Sequence, residues 1–199
     1  MLGDIWWPHG DTARAAAAYE AARTEAEQHG VVGEQATSQA QRAFTLAFTD
    51  PGQADDEIEL AQQLLTGLDL RATTLTTHIA ALIRDAGTST DIADRAHLLR
   101  TQIHLAGLTS QEAPLQLALC FHHAVLDATD ELTAAINQLR EITTSGDYAY
   151  YVDIAHFMAG RPLPAEPRSQ ARWLDSEHTT RNRWHALVTT RRERLDAGQ

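Results

Sequence analysis

The chain has 199 residues, 43% hydrophobic and 22% charged, with a net charge of −11. That length can bury a substantial core as one domain or one continuous stack, and the negative charge disfavours nucleic acid and anionic membrane surfaces as general partners. A single cysteine, Cys120, excludes an internal disulfide framework and fits a reducing cytoplasm, no apolar run reaches membrane-span length, and Met1 to Gly10 lacks the basic-then-apolar pattern of a secretory leader.

All 16 basic residues are arginine, which leaves no lysine for a Schiff base or a phosphate-binding loop and hints at a GC-rich bacterial genome. From Arg168 onward seven arginines face four acids, a local +3, so the preceding part carries −14.

The helical period dominates from the start. Asp11 to His29 is alanine-rich, with Asp11 or Thr12 as its cap and Gly30 as its stop. Gly33 to Phe48 follows, with Ala36, Ala40, Phe44 and Ala47 on one stripe, and Asp50-Pro51-Gly52 reads as its break. Gly67, Gly87 and Gly107 then recur every 20 residues. Evenly spaced glycines read as helix ends, because a left-handed C-terminal cap suits them. Between them lie helices over Asp55–Thr66, Leu70–Ala86 and Asp91–Ala106, the last capped by Ser89 or Thr90. Ser110 to Leu126 is the next, with Pro114 in its first turn. Asp130–Thr143 stops near Gly146, and Asp147–Ala159 closes at Gly160. Tyr148 to Val152 has strand propensity but helical neighbours. A proline-rich linker leads to one or two amphipathic helices from Arg168 to about Asp196, anchored by Trp173, Trp184, Leu187 and Val188. The organisation expected is a helical repeat array over 1–161, a linker over 162–167 and C-terminal capping helices over 168–199.

Leu2, Gly3, Trp6, Gly10, Ala15, Tyr19 and Ala22 fall on the spacing of a tetratricopeptide repeat that lacks its first residues. The opening resembles the end of helix A and all of helix B of that repeat, and the later pairs are similar in length and pattern. Tyr150 to Gly160, Arg172 to Glu177 and Arg183 to Leu187 resemble the ends of large actinobacterial regulatory proteins, ATP/GTP-binding proteins with tetratricopeptide-like C-terminal regions. The resemblance implies an all-α, right-handed solenoid of antiparallel hairpins, excised from a longer chain whose nucleotide-hydrolysing switch lies elsewhere. In such a piece Trp6-Trp7 is expected to be exposed, and the bare first repeat offers a homodimer contact.

Each candidate chemical group has a plainer reading beside it. Asp153 and His156, three apart on one helix, can serve a metal together with Tyr150, Tyr151 and His122-His123. A bare pair falls short of the three or four ligands such a site needs, and His156 in a helix interface with Asp153 on the surface is the plainer reading. Adjacent on a helix, His122 and His123 point about 100° apart, so one buried and one exposed histidine is expected. Cys120 has His123 three residues on, but Leu117, Leu119 and Phe121 make it a core thiol. The acids Asp55, Asp56, Glu57 and Glu59 sit at a helix start without a calcium loop. Arg181, Arg183, Arg191, Arg192 and Arg194 can bind phosphate or an acidic partner surface, and arginine also complements helix C-terminal dipoles; a solvated terminal helix, or docking against the acidic body, is favoured over nucleic-acid binding.

The expected function is therefore a non-enzymatic interaction or sensor module with no cofactor and no metal. It would take a basic or amphipathic peptide or protein on the concave face, through Arg71, Thr74, His78, Gln116, His123 and Tyr151. The alternative is a small helical enzyme or metal-binding protein with a pocket around Asp153, His156 and His123.

Overall fold

The computed structural model describes residues 1–143, 148–163, 172–173 and 175–198. The regular elements among them are all helical. A short helix α1 (Gly3–Trp6) and a 3-10 turn (Trp7–His9) lead into α2 (Thr12–Gln28), α3 (Val32–Ala47), α4 (Pro51–Leu65), α5 (Arg71–Arg84) and α6 (Ile92–Ala106). A second 3-10 turn (Thr109–Gln111) precedes α7 (Glu112–Val125), followed by α8 (Thr129–Thr143), α9 (Tyr150–Met158) and α10 (Glu177–Ala197). No helix among the described residues is long and apolar enough to cross a membrane.

Most boundaries match the sequence reading, and the exceptions have local causes. Asp50-Pro51-Gly52 starts α4 rather than only ending α3. The Asp50 carboxylate accepts from the Gly52 and Gln53 amides at 3.0 and 3.1 Å, and Pro51 occupies the first helical position, where its missing N–H costs nothing. Asp91, not Ser89 or Thr90, precedes α6, and the Ser89 hydroxyl donates to the Asp91 carboxylate instead. Tyr150–Val152 is helical, so strand propensity yields to context. Gly67, Gly87 and Gly107 all take positive φ at helix ends, as their spacing predicts. Gly146 and the linker from residue 164 onward lie outside the described residues.

Successive helices pack on one another, and α3, α5, α7 and α9 also pack on each other in turn. These four form an inner row, with α2, α4, α6 and α8 packed mainly on their chain neighbours outside it. Small residues set the spacing. Ala15 and Ala16 of α2 and Ala36, Ala40, Ala43 and Ala47 of α3 are all buried, and this lets the backbones approach closely. Outside, Arg42 of α3 pairs with Glu20 of α2 and Glu57 of α4, and Arg84 of α5 pairs with Asp55 of α4.

Helix α10 crosses the C-terminal ends of the inner row. Its buried residues Thr180, Trp184, Val188 and Arg191 recur every three or four positions on one stripe. His185 meets the Met158 carbonyl of α9; Arg191 donates to the carbonyls of Ala47 in α3 and of Ile83 and Arg84 in α5; Arg192 donates to Ala124 of α7. The last carbonyls of a helix have no partner within it, and these arginines supply donors to three helices at once. Of the two readings of the arginine group, docking holds for Arg191, Arg192 and Arg194, chiefly against main-chain oxygen rather than acidic side chains, while Arg181 pairs with Glu177 on its own helix.

The N-terminal segment closes the other gap. Trp7 packs on Phe44 and Phe48 of α3, on Tyr151 of α9 and on Trp184 of α10, with ring centroids 5.4–6.1 Å apart. The expectation that both Trp6 and Trp7 lie exposed is corrected accordingly: Trp7 is 5% exposed, because the last helix covers it, and Trp6 is at the surface. The first turn of the chain therefore bridges the first and last members of the inner row.

Candidate functional site

With one end sealed by α10, the inner row encloses a chamber of about 300 Å³ toward the start of α7 and α9. Six of its lining residues are aromatic: Trp7, Tyr19, Phe44, Tyr148, Tyr150 and Tyr151. The chain has four tyrosines, and all four are here. Asp4, Gln41, Thr76, Ser110, Gln111 and Pro114 complete the wall.

Each aromatic is placed by its own element. Tyr19 sits on the α2 stripe with Ala15 and Ala26, and its ring fills the space a side chain at residue 3 would need: a Cβ on Gly3 would come within 2.4 Å of it. That approach lets the Tyr19 hydroxyl donate to Asp4 at 2.6 Å. Tyr150 and Tyr151 open α9 with rings stacked 4.6 Å apart, and Tyr148 lies 5.7 Å from Tyr151. The Arg172 guanidinium covers the Tyr150 ring at 4.3 Å. The Thr76 hydroxyl of α5 donates to the Ala72 carbonyl at 3.1 Å and lies 3.4 Å from the Gln111 amide oxygen across the wall.

Burial dominates the acid–base behaviour. It holds the Tyr19, Tyr150 and Tyr151 phenols above their ordinary range, reinforced at Tyr19 by Asp4 and opposed at Tyr150 by the neighbouring Tyr151 hydroxyl and Arg172. These hydroxyls stay neutral near pH 7 and act as hydrogen-bonding groups, not as bases. The Trp7 Nε1–H is closed to solvent and has no hydrogen-bond partner among the described residues.

Of the six residues chosen from sequence for a partner face, all lie on inner-row helices, but not on one surface. Tyr151 is buried and lines the chamber. Gln116, expected at the surface, is buried. Its amide donates to the Ala135 carbonyl at 3.2 Å and accepts from Arg100 at 3.0 Å, so it ties α6, α7 and α8 together. Arg71 and Thr74 line a separate groove between α5 and α6, with Leu75, Gln102 and Leu105. His78 and His123 are half-buried, and burial lowers the pKa of both.

Asp153, His156 and His123, the residues of the alternative pocket, are not brought together as a metal site among the described residues. Asp153 is buried, not at the surface, and accepts from the Trp173 indole at 2.7 Å. His156 is half-buried with both ring nitrogens unpartnered. Among the described residues no group of three or more His, Cys, Asp and Glu side chains is placed to hold a metal ion. Cys120 is fully buried, and burial pushes its thiol pKa up, which suits a core residue and not a nucleophile. His122 is buried and its Nδ1 accepts from the Gly87 amide at 3.2 Å, while His123 is half-buried rather than exposed as expected.

Sequence reasoning reached Tyr151 but missed Trp7, Tyr19, Tyr148 and Tyr150 as one wall. The available signal was compositional: a chain with few aromatics places three of its four tyrosines within four residues, and the fourth inside the repeat-like opening. No protein-family model, curated protein or solved structure matches the chain.

Proposed function

We propose that the chain is a non-enzymatic sensor module that takes a ligand into the aromatic chamber of its inner row. The observation that carries this reading is the convergence of all four tyrosines, with Trp7 and Phe44, on one cavity. Ligand sites are concave, mainly apolar, and furnished with a few placed polar groups. The phenols are held neutral and the Asp4 carboxylate is engaged by the Tyr19 hydroxyl, which favours binding over chemistry. In the regulatory setting that the resemblance of Tyr150–Gly160, Arg172–Glu177 and Arg183–Leu187 implies, occupancy would bias a nucleotide switch.

The test is a thermal-shift screen of small molecules on the wild type and on Thr76→Phe, which fills the chamber from α5. Compounds that stabilise the wild type but not the filled variant support the reading, given unchanged helical circular dichroism. Stabilisation of both alike overturns it.

A second reading keeps the peptide or protein partner. It is favoured by the groove between α5 and α6, where Arg71 and Thr74 adjoin Leu105, a leucine 84% exposed. The acidic body selects a basic amphipathic helix as its occupant. Leu105→Asp would abolish capture of such a helix and leave ligand binding in the chamber unchanged; capture that persists in Leu105→Asp sinks this reading.

A further inference from the structure

The rings that line the chamber come from separate elements: Trp7 from the first 3-10 turn, Tyr19 from α2, Phe44 from α3, and Tyr148, Tyr150 and Tyr151 from the start of α9 and the residues just before it. Tyr150 and Tyr151 stack into one wall, but the planes around Trp7 are inclined, at 47° to Phe44 and 56° to Tyr151. Parallel walls suit a flat ligand; inclined walls suit a rounded group.

The charge on the lining is of one sign. Among the described lining residues Asp4 is the one charged side chain, and neither arginine nor histidine accompanies it. Both Asp4 oxygens are in use: Oδ1 accepts from the Tyr19 hydroxyl at 2.6 Å and Oδ2 from the Met1 ammonium at 2.7 Å. The Met1–Asp4 pair sits at the surface, where water screens it. Asp4 therefore lends the chamber negative potential without offering a free acceptor. A primary ammonium brings three N–H donors, and rings repay their lost water poorly. An ammonium with every hydrogen replaced by methyl has no donor to satisfy, and aromatic faces attract its charge. These tyrosines already take a cation in this way, since the Arg172 guanidinium lies 4.3 Å from the Tyr150 ring centre. The net charge of −11 draws cations toward the chain as a whole.

We infer that the chamber binds a quaternary ammonium group, held by the aromatic lining beside the Asp4 carboxylate. A volume of about 300 Å³ suits a small ligand of this kind. The inference rests on the chamber being the ligand site, and the experiment separates the two.

The full chain is titrated calorimetrically with choline, with 3,3-dimethylbutan-1-ol, which has the same shape without the charge, and with ethanolamine, which keeps the charge without the methyl groups. Choline should bind about tenfold more tightly than either. Tyr148→Leu, at a side chain already 37% exposed, and Asp4→Asn, which keeps an acceptor for Tyr19, should each weaken choline several-fold and leave dimethylbutanol unchanged. A trimethyllysine peptide in place of choline distinguishes the sources: tighter binding assigns the group to a partner's side chain, weaker binding to a free solute, and both keep the class. Dimethylbutanol or ethanolamine binding as tightly as choline, with binding lost in Thr76→Phe, overturns the class and leaves the chamber as the site. No binding of choline also overturns the class, whatever other small molecules bind. Choline binding that survives Thr76→Phe overturns the inference, because the cation then sits elsewhere.

Discussion

The indole of Trp184 donates to the carbonyl of Pro8 across 2.9 Å, joining residues 176 positions apart in the chain. The same ring packs edge-on against Trp7 and Phe48, at 5.5 and 5.3 Å. A helical array whose members touch only their neighbours gains stability repeat by repeat and can fray from its ends. Here the ends hold each other, so loss of the contact should be felt by the whole row.

Trp184→Ala should therefore cost about 3–5 kcal/mol, the range for emptying a fully buried aromatic site. Trp184→Phe keeps most of the ring and loses the bond to Pro8, for roughly 1–2 kcal/mol. Urea denaturation read by circular dichroism gives both values. One cooperative transition in the wild type that splits into two in Trp184→Ala would locate the coupling in this contact; a loss below 1 kcal/mol would show that the ends are not coupled through it.

Arg191 is the second fastening. It is 3% exposed and donates to the Ala47, Arg84 and Ile83 carbonyls at 2.6, 2.8 and 3.4 Å, with its guanidinium 5.5 Å from the Phe121 ring centre. Burial, with Arg194 nearby, pulls its pKa down to about 10, still charged at neutral pH. Arg191→Ala leaves carbonyls of α3 and α5 without a donor and should cost about 2–4 kcal/mol. Arg191→Lys keeps a charge but not the planar fork, and should recover less than half of that loss. Equal stability of the lysine variant and the wild type would mean that charge, not geometry, holds α10 in place.

The two fastenings differ in how far the sequence reveals them. Helix positions are local facts: apolar stripes, the Asp11 cap and glycines 20 residues apart place most of the elements to within a few residues. The arginine group read as either a solvated helix or a docking face, and its targets were not legible. Main-chain carbonyls carry no sequence signal, and three helices must first align their ends before those oxygens meet one arginine helix. Trp7 shows the same limit. Taken alone, a tryptophan pair in an interrupted repeat reads as exposed, and only the return of α10 to the start of the chain buries it. The chamber depends on that return too, so Tyr151 could be singled out on its helix while Tyr19, 132 positions earlier in the chain, could not be joined to it.

Gly87 gives a sharper test of how tightly α10 is seated. Its φ is +86°, and a Cβ there would come within 2.5 Å of Leu195 and 2.6 Å of Val125. Gly107 has φ +68° and open space around it. Gly107→Ala should thus cost only the left-handed backbone penalty, about 1–2 kcal/mol. Gly87→Ala adds the clash and should cost more, while making the amides of residues 191–197 exchange faster with deuterium. Matching losses in the two variants would mean that the end of α10 yields freely and seals nothing.

The histidines predict how stability responds to acid. Burial lowers the pKa of His9, His78, His122, His123 and His156 below the ordinary histidine value. Between that value, about 6.5, and the lower folded values, the unfolded chain binds more protons than the folded one, so stability rises with pH across this window and is lost as pH falls through it. Glu20 and Asp85 are shifted downward by their arginine partners, and their contribution disappears only at lower pH, in the carboxylate range. The two windows are separable. His122 should dominate the upper one, because protonation of Nδ1 removes the acceptor for the Gly87 amide. His122→Asn offers an amide oxygen in its place without titrating. Melting temperature from pH 7.5 to about 5 should fall less steeply for the asparagine variant than for the wild type. Identical slopes would assign the acid sensitivity to the other buried histidines and leave the His122–Gly87 bond without a role in it.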